Sequence, residues 1–550
     1  MSVMTAEHGE PRKLRLVITA STAGTVFEWY DFFIFGSLAP IIARQFFAGV
    51  NETAAFIFAL LTFGVGFAVR PLGALVFGRI GDQLGRKYAF LATITIMGIA
   101  TFAVGLLPPY AVLGIYSPLL LVALRMLQGF AIGGEYGGAA IYVAEHTPQR
   151  ERGLQTSWIQ ASAIGGLFAA LVIILATRVA LGEQAFDAWG WRVPFLLSIL
   201  LFLGSLYIRL KLEESPVFRK IVAEGKASKS PLAEAFLRWP NLKIVLIALF
   251  GLLCAQGVVW YTAYFYTQFF LERVLKVEPA TVNLMMMTAT LASGVLYVAF
   301  GWLSDYVGRK PIMLLGIIFT AISVFPLFHM LTEAANPALA AAQARAPVFV
   351  TADPHTCSLQ FDPVGKAQFA SSCDIAKGAL ASSGVSYRNE AVPPGTLASV
   401  RVGETSIASV EGRPLAKDEL AKAKANFGSR LKAALTAAGY PEKADPARVD
   451  TRKVIGLLLV LMAFAAMLYG PMAAALVELF PTRIRYSALS LPYHLGIGWF
   501  GGFLPATAFA MVAATGDIYF GLWYPVTVSA ISAVIALLYL PETRARDIHD

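Results

Sequence analysis

Apolar runs of about 20 residues, the length that crosses a bilayer, recur along the chain between short polar loops. They predict helices over 15–43, 54–79, 88–108, 118–144, 155–179, 193–211, 241–270, 279–302, 311–331, 453–476, 486–513 and 519–540. The first run is read as a membrane helix and not a cleaved leader, because it continues without a small-residue cleavage site. One long polar interval, 332–452, breaks the series after the ninth helix. It opens with the linker-like NPALAAAQARAP and passes through VFVTA, SVRVG and TSIASV, which read as strands between Gly/Pro turns. It closes with LAKDELAKAKANFGSRLKAAL, where Leu420, Phe427, Leu431 and Leu435 recur at helical spacing. The pattern predicts an all-α polytopic membrane protein of twelve helices with a small α/β insertion after helix 9.

Composition agrees. Of 550 residues, 57% are hydrophobic and 14% charged, against about 25% charged in a soluble domain. A net charge of +9 is compatible with nucleic acid, but its distribution points to membrane edges. Arg12, Lys13, Arg15, Arg79, Arg86, Lys87, Arg150, Arg152, Arg209, Lys211, Arg219, Lys220, Arg309, Lys310, Arg483, Arg485, Arg544 and Arg546 fall on one side. By the positive-inside rule that side is cytoplasmic and holds both termini; in a bacterial host the expected location is the inner membrane. The insertion then lies outside the cytoplasm. Cys357 and Cys373 both lie in it, so a disulfide is expected in an oxidising compartment, two free thiols being the alternative. With Cys254 they are the chain's three cysteines, too few for a zinc ligand set.

Two internal repeats divide the chain. GRIGDQLGRK at 78–87 returns as GWLSDYVGRK at 301–310, and EHTPQRER at 145–152 returns as ELFPTRIR at 478–485. The offsets are 223 and 333 residues, and their difference places the extra length between the two motifs of the second half, where hydropathy also puts it. The expected organisation is a cytoplasmic N-terminus (1–14), a six-helix bundle (15–212), a cytoplasmic linker (213–240), a second bundle in two parts (241–331 and 453–540) around the periplasmic insertion (332–452), and a cytoplasmic tail (541–550).

These residues resemble the major facilitator superfamily, and within it the metabolite:proton symporters. The likeness is carried by G-x-x-x-D-x-x-G-R-K after helices 2 and 8, EWYDFFIFG in helix 1, RPLGA (70–74), RMLQGFAIGGEYGGA (125–139), GWRVPF (190–195), LEESPVF (212–218), FPTRIRYSALSLPY (480–493) and PETR (541–544). It covers the chain outside the insertion. It implies two six-helix pseudo-repeats and alternating access around a midplane site. The implied cargo is a carboxylate such as citrate, 2-oxoglutarate or shikimate, or a zwitterion such as proline or betaine, moved with protons. It further implies a cytoplasmic gate built from Asp82, Arg86, Lys87, Glu145 and Arg152, repeated as Asp305, Arg309, Lys310, Glu478 and Arg485. Solvated positive-inside anchors are the plainer reading of the same charges.

Ionisable residues inside spanning helices are costly and face a cavity or each other. The candidates are Glu28, Asp31, Arg70, Arg125, Glu135 and His494. Counting depth along each helix puts Asp31 level with Arg125, and Arg70 level with Glu135, so two pairs are expected. Arg125, Gln128, Ile132 and Glu135 share one stripe of helix 4. An aspartate beside arginine stays ionised and takes a proton when the arginine is drawn away. Asp31 with Arg125 is thus the expected proton-coupling pair, a static ion pair is the alternative, and Glu28 is a second titrating candidate. Similar pairs on helices 1 and 4 carry protons in related sugar symporters. His494 stands where the family pattern has Asn; it reads as a hydrogen-bond donor to substrate, a second proton site, or a packing histidine. Tyr493 precedes it. On helix 7, Tyr261, Tyr264 and Gln268 form a face that lines a pocket or anchors at the interface.

The function expected is proton-coupled symport of a small organic acid, because three cations along the path suit a desolvated carboxylate. A zwitterionic osmolyte is the runner-up, and a sensor using the insertion is a third class. No phosphate-binding loop or hydrolytic constellation is recognisable, so an enzyme is not expected. Neither is a metal or cofactor beyond the coupling proton. The expected partners are the solute, protons and lipid, with the monomer as the working unit.

Overall fold

The computed structural model describes residues 22, 25–27, 29–31, 33–48, 52–211, 214–226, 228–358 and 369–548. Glu28, a candidate proton group, lies outside them. Among the described residues, ten helices are long and apolar enough to cross a membrane. In chain order α1 comprises the helical residues 29–31 and 33–37, and α2 is Glu52–Gln83. There follow α3 (Arg86–Leu106), α4 (Tyr116–His146), α5 (Arg152–Leu181) and α6 (Arg192–Leu210). The second half holds α7 (Trp239–Val274), α8 (Pro279–Val307), α9 (Arg309–Ala335), α10 (Thr451–Leu479), α11 (Thr482–Val512) and α12 (Phe520–Tyr539).

Helix packing in lipid favours small residues that let backbones approach, and α4 shows why its glycines are needed. A Cβ on Gly129 would fall 2.1 Å from the Gly66 carbonyl oxygen, and one on Gly133 would fall 2.3 Å from that of Arg70. α4 therefore lies directly on α2. The halves meet where α2 runs against α11 and α5 against α8. Loops carrying the repeated motifs collect on one face of the bundle, the motif face, and the insertion sits on the opposite one.

The insertion is a four-stranded sheet covered by helices. β1 (Val348–Ala352) pairs in parallel with β2 (Tyr387–Ala391) and antiparallel with β3 (Ser399–Val402), and β3 turns tightly into β4 (Thr405–Ala408), in the order β2-β1-β3-β4. Helix Lys417–Ala437 buries Leu420, Phe427, Leu431 and Leu435 against it. Two features depart from the sequence reading. The stretch read as a linker forms a nine-residue helix, Pro337–Arg345. The Asn336 side chain caps its Leu339 N–H, Pro337 occupies the first turn, and the alanines favour helix. The polar YRNEA becomes the edge strand β2, where only one face meets the core. Cys357 and Cys373 form a disulfide.

The sheet edge and the residues around it are tied to the second half. Tyr387 N–H donates to the Gly516 carbonyl (2.9 Å), Asn389 to that of Thr515 (2.8 Å), Ile518 N–H to Ser386 Oγ (3.1 Å) and Ala444 N–H to the Lys276 carbonyl (3.1 Å). These bonds join the insertion to the α7–α8 and α11–α12 loops. The disulfide closes a 16-residue separation, and a loop of that size is worth about 3 kcal/mol. Replacing both cysteines by serine should therefore loosen the insertion selectively. Limited proteolysis should show faster cleavage within 348–448 with the helical bundle intact; unchanged protection would contradict this.

Candidate functional site

Four buried carboxylates organise the motif face, and each reaches across to the other half. Asp82, at the end of α2, accepts from the N–H groups of Tyr486 (3.2 Å) and Ser487 (2.9 Å) in the first turn of α11. Its counterpart Asp305, at the end of α8, accepts from Gly153 and Leu154 N–H, both at 2.8 Å, in the first turn of α5. A carboxylate there satisfies N–H groups that have no partner within the helix and meets the positive end of its dipole. Arg86 and Arg309 clamp their own aspartates at 2.7 Å. Arg485 on α11 pairs with Glu145 on α4 at 2.8 Å, and Arg152 on α5 pairs with Glu478 on α10 at 3.0 Å. Arg309 also reaches Glu478, at 3.2 Å.

Lys87 and Lys310 stand apart from these inter-half links. Their ammonium groups point to the last turns of α6 and α12, donating to the Leu210 (3.1 Å) and Leu537 (3.0 Å) carbonyls within their own halves. Sequence reading missed a third repeated element. Glu214 accepts from the N–H groups of Arg86 and Lys87, and Glu542 from those of Arg309 and Lys310, all within 3.0–3.1 Å. The adjacent Ser215 and Thr543 donate to Glu145 and Glu478. The signal was present: a Glu followed by Ser or Thr just beyond the last helix of each half. The tail then folds back, and the Ile548 carbonyl accepts from Thr482 (2.6 Å) and Arg485 (2.9 Å).

Inside the bundle, Asp31 and Arg125 come together at 3.5 Å. Gln128 is the tighter partner of both. It donates to Asp31 at 2.8 Å and accepts from Arg125 at 2.8 Å, while its amide also reaches the Thr101 hydroxyl at 3.0 Å. The Arg125 guanidinium lies 4.2 Å from the Phe35 ring centre.

The expected pairing of Arg70 with Glu135 does not form. Glu135 is bonded to Arg209 and to the Thr93 hydroxyl (2.8 Å), and the Arg209 guanidinium covers Phe90 at 3.6 Å. Arg209 reads in sequence as one of the basic residues at the bundle's edge. It sits near the end of α6, however, and helix side chains lean toward the N-terminus of their own helix. That tilt carries the guanidinium back into the bundle, where it is 1% exposed.

Arg70 consequently forms no ion pair with a carboxylate among the described residues, although the Asp31 charge acts on it from a distance. It is half-buried, stacks 4.3 Å from the Phe67 ring centre, and its Nε is buried without a partner. It faces a central cavity walled by Trp29, Tyr136, Trp260, Tyr261, Tyr469 and Tyr493, with Gln256 and His494 among the polar lining. The cavity is shut by rings from opposite halves. Trp29 meets Trp260 at 5.6 Å, and Tyr136 stacks on Tyr493 at 3.7 Å with an interplanar angle of 9°. The cavity volume is about 30 Å³, room for roughly two or three water molecules, so the rings must separate to admit a solute. Gln256 Oε1 and His494 Nε2 are also buried without partners. Such groups cost ~1–3 kcal/mol each when unmet.

The expected face of α7 divides. Tyr261 lines the cavity, but Tyr264 bonds Ser293 and Tyr297 (both 3.0 Å), and Gln268 bonds Glu272 (3.0 Å) outside its lining. One π-helical turn, Thr262–Tyr266, falls between Tyr261 and Gln268. It shifts the helical phase by a residue, so spacing counted at 3.6 per turn drifts off the face. Gln256, which sequence reading passed over, is on that face.

These two environments predict opposite responses to mutation. Glu135→Ala strands a buried guanidinium and should cost about 3–5 kcal/mol, seen as a large drop in melting temperature. Arg70→Met removes an unpaired charge and should leave the melting temperature unchanged or raised. Equal losses in the two variants would contradict the assignment of partners.

The family profile described as "Sugar (and other) transporter" matches residues 16–235. The glycine betaine/proline/ectoine/pipecolic acid transporter OusA of Dickeya dadantii is 38% identical over 332 residues, covering 58% of this chain and 65% of that protein. The proline/betaine transporter of Escherichia coli K12 is 38% identical over 337 residues, with the same coverage. The chain thus spans just under two thirds of the length of these relatives. The shikimate transporter of the same organism is 37% identical over 327 residues, covering 58% of this chain and 73% of that protein. Among solved structures, the major facilitator superfamily proton:xylose symporter XylE bound to 6-bromo-6-deoxy-D-glucose superposes with a TM-score of 0.63 at 14% identity, covering 98% of each chain.

Proposed function

This chain belongs to the major facilitator superfamily, and from that premise we propose that it takes up a small organic carboxylate together with protons, by alternating access of its two six-helix halves. The observation that carries the reading is Arg70: a guanidinium without a carboxylate partner among the described residues, facing an enclosed, aromatic-walled cavity between the halves. A solute carboxylate supplies the missing charge.

Asp31 is the proposed proton carrier. While Arg125 and Gln128 hold it, the carboxylate stays ionised; solute binding that draws Arg125 away lets it take a proton. Glu28 is the alternative carrier. The motif face is assigned to the cytoplasm, by the positive-inside rule, in a bacterial inner membrane with both termini inside, and the insertion to the periplasm. The reciprocal network of Asp82, Arg86, Glu145, Arg152, Asp305, Arg309, Glu478 and Arg485 then serves as the cytoplasmic gate, drawn in its closed state. The Tyr136–Tyr493 stack is a thinner inner barrier above it. The monomer is the proposed working unit.

A second reading, symport of a zwitterion, is favoured by the aromatic walls. Ring faces attract ammonium groups, so Trp29, Trp260 and the tyrosines suit a cationic pole while Arg70 holds the carboxylate. Relatives named for proline and betaine lend it support.

Uptake into proteoliposomes tests the proposal. An inward proton gradient should drive accumulation of a carboxylate or zwitterion by the unaltered protein. Asp31→Asn should abolish accumulation while leaving counterflow exchange in place. Undiminished pH-driven accumulation by that variant would remove Asp31 from the mechanism.

A further inference from the structure

The polar lining of the central cavity is divided between the two halves. Arg70 comes from α2; Gln256 on α7 and His494 on α11 come from the other half. These two side chains are 2% and 1% exposed, and Gln256 Oε1 and His494 Nε2 meet no hydrogen-bond partner. The hydroxyls beside them are already engaged. Tyr136 accepts from Gln160 at 2.6 Å, and Tyr469 and Tyr493 bond each other at 2.7 Å. What this wall leaves unmet is an amide oxygen and an imidazole nitrogen, which accepts when the ring is neutral with its proton on Nδ1. A guanidinium only donates and so answers an anion; an acceptor answers a donor.

We propose that Gln256 and His494 bind a hydroxyl or N–H group of the solute, so that the selected class is small carboxylates bearing such a donor. Carboxylates whose other end is apolar or a quaternary ammonium are disfavoured. The proposal rests on the reading of Arg70 as the carboxylate's partner. A quaternary ammonium is drawn to the aromatic walls but has no N–H, and it leaves both acceptors bare. A site built to hydrogen-bond a group discriminates strongly against an analogue lacking it. Because Arg70 and the two acceptors lie on opposite halves, a solute of the selected class also joins α2 to α7 and α11. Binding is thereby tied to the relative position of the halves.

Matched probes separate the alternatives: proline against N,N-dimethylproline, and 3-hydroxybenzoate against benzoate. Within each pair the carboxylate and ring are kept and the donor is lost. Affinities are measured by titration calorimetry on the full chain in detergent, and the outcome is judged on whichever pair binds. The donor-bearing member should bind at least about tenfold more tightly to the unaltered protein. In Gln256→Leu the ratio should fall to below about threefold, and His494→Phe should lower it independently. Both variants replace an unpartnered buried polar group with an apolar one, so their melting temperatures should hold or rise. A ratio near one in the unaltered protein, or a ratio preserved in both variants, overturns the proposal while leaving the carboxylate reading standing. If neither member of either pair binds the unaltered protein, this proposal is overturned, and the carboxylate reading is then decided by titration of shikimate and 2-oxoglutarate into the unaltered protein.

Discussion

The structure depends on a carboxylate at the end of one half capping a helix that begins in the other. Asp82 does this to α11 and Asp305 does it to α5, so the contact is made twice with opposite sense. Each aspartate is also held by an arginine four residues on. A buried carboxylate left alone is expensive; here two ion pairs within the halves and four hydrogen bonds between them offset the cost, and the four hydrogen bonds last only while the halves are together. Such an arrangement is stable in one geometry and strongly disfavoured in a partly opened one. A contact that is either fully made or lost is what the proposed alternating-access cycle needs at a gate.

With the motif face closed, Tyr136 lies against Tyr493 and the pair walls the cavity. The remaining buried charges then sort by whether they have a partner. Asp31 with Arg125 and Gln128, and Glu135 with Arg209 and Thr93, are satisfied locally. Arg70, Gln256 and His494 each retain an unmet polar atom, and all three line the cavity. Three such groups around one enclosed cavity between the halves can be completed by a solute.

Much of this was legible in the sequence. The repeats at 78–87 and 301–310, with those at 145–152 and 478–485, fix two halves and the residues that face each other, because the same spacing in each half implies the same place in the bundle. Asp31 and Arg125 could be matched by counting depth along regular helices. Failures occurred where regularity or direction did. Arg209 counts as an edge residue until the backward tilt of helix side chains is considered. Tyr264 and Gln268 fall on the cavity face by a period that the π turn Thr262–Tyr266 invalidates. Arg70 and Glu135 are indeed close in depth, but depth alone does not say which way a side chain points around the helix. In the insertion, the apolar strands were visible, whereas the polar edge strand β2 carries too few buried residues to show a pattern.

The central claim is that Arg70 is an anchor for a carboxylate brought from outside. It is tested most directly by calorimetric titration of proline, shikimate and 2-oxoglutarate into the unaltered protein and into Arg70→Met. The account predicts saturable binding of at least one of these acids to the unaltered protein. It also predicts a loss of tenfold to over a hundredfold in the variant, the range for a hydrogen bond to a charged group worth about 1.5–3 kcal/mol. Equal affinity in the two proteins, both folded, would contradict it.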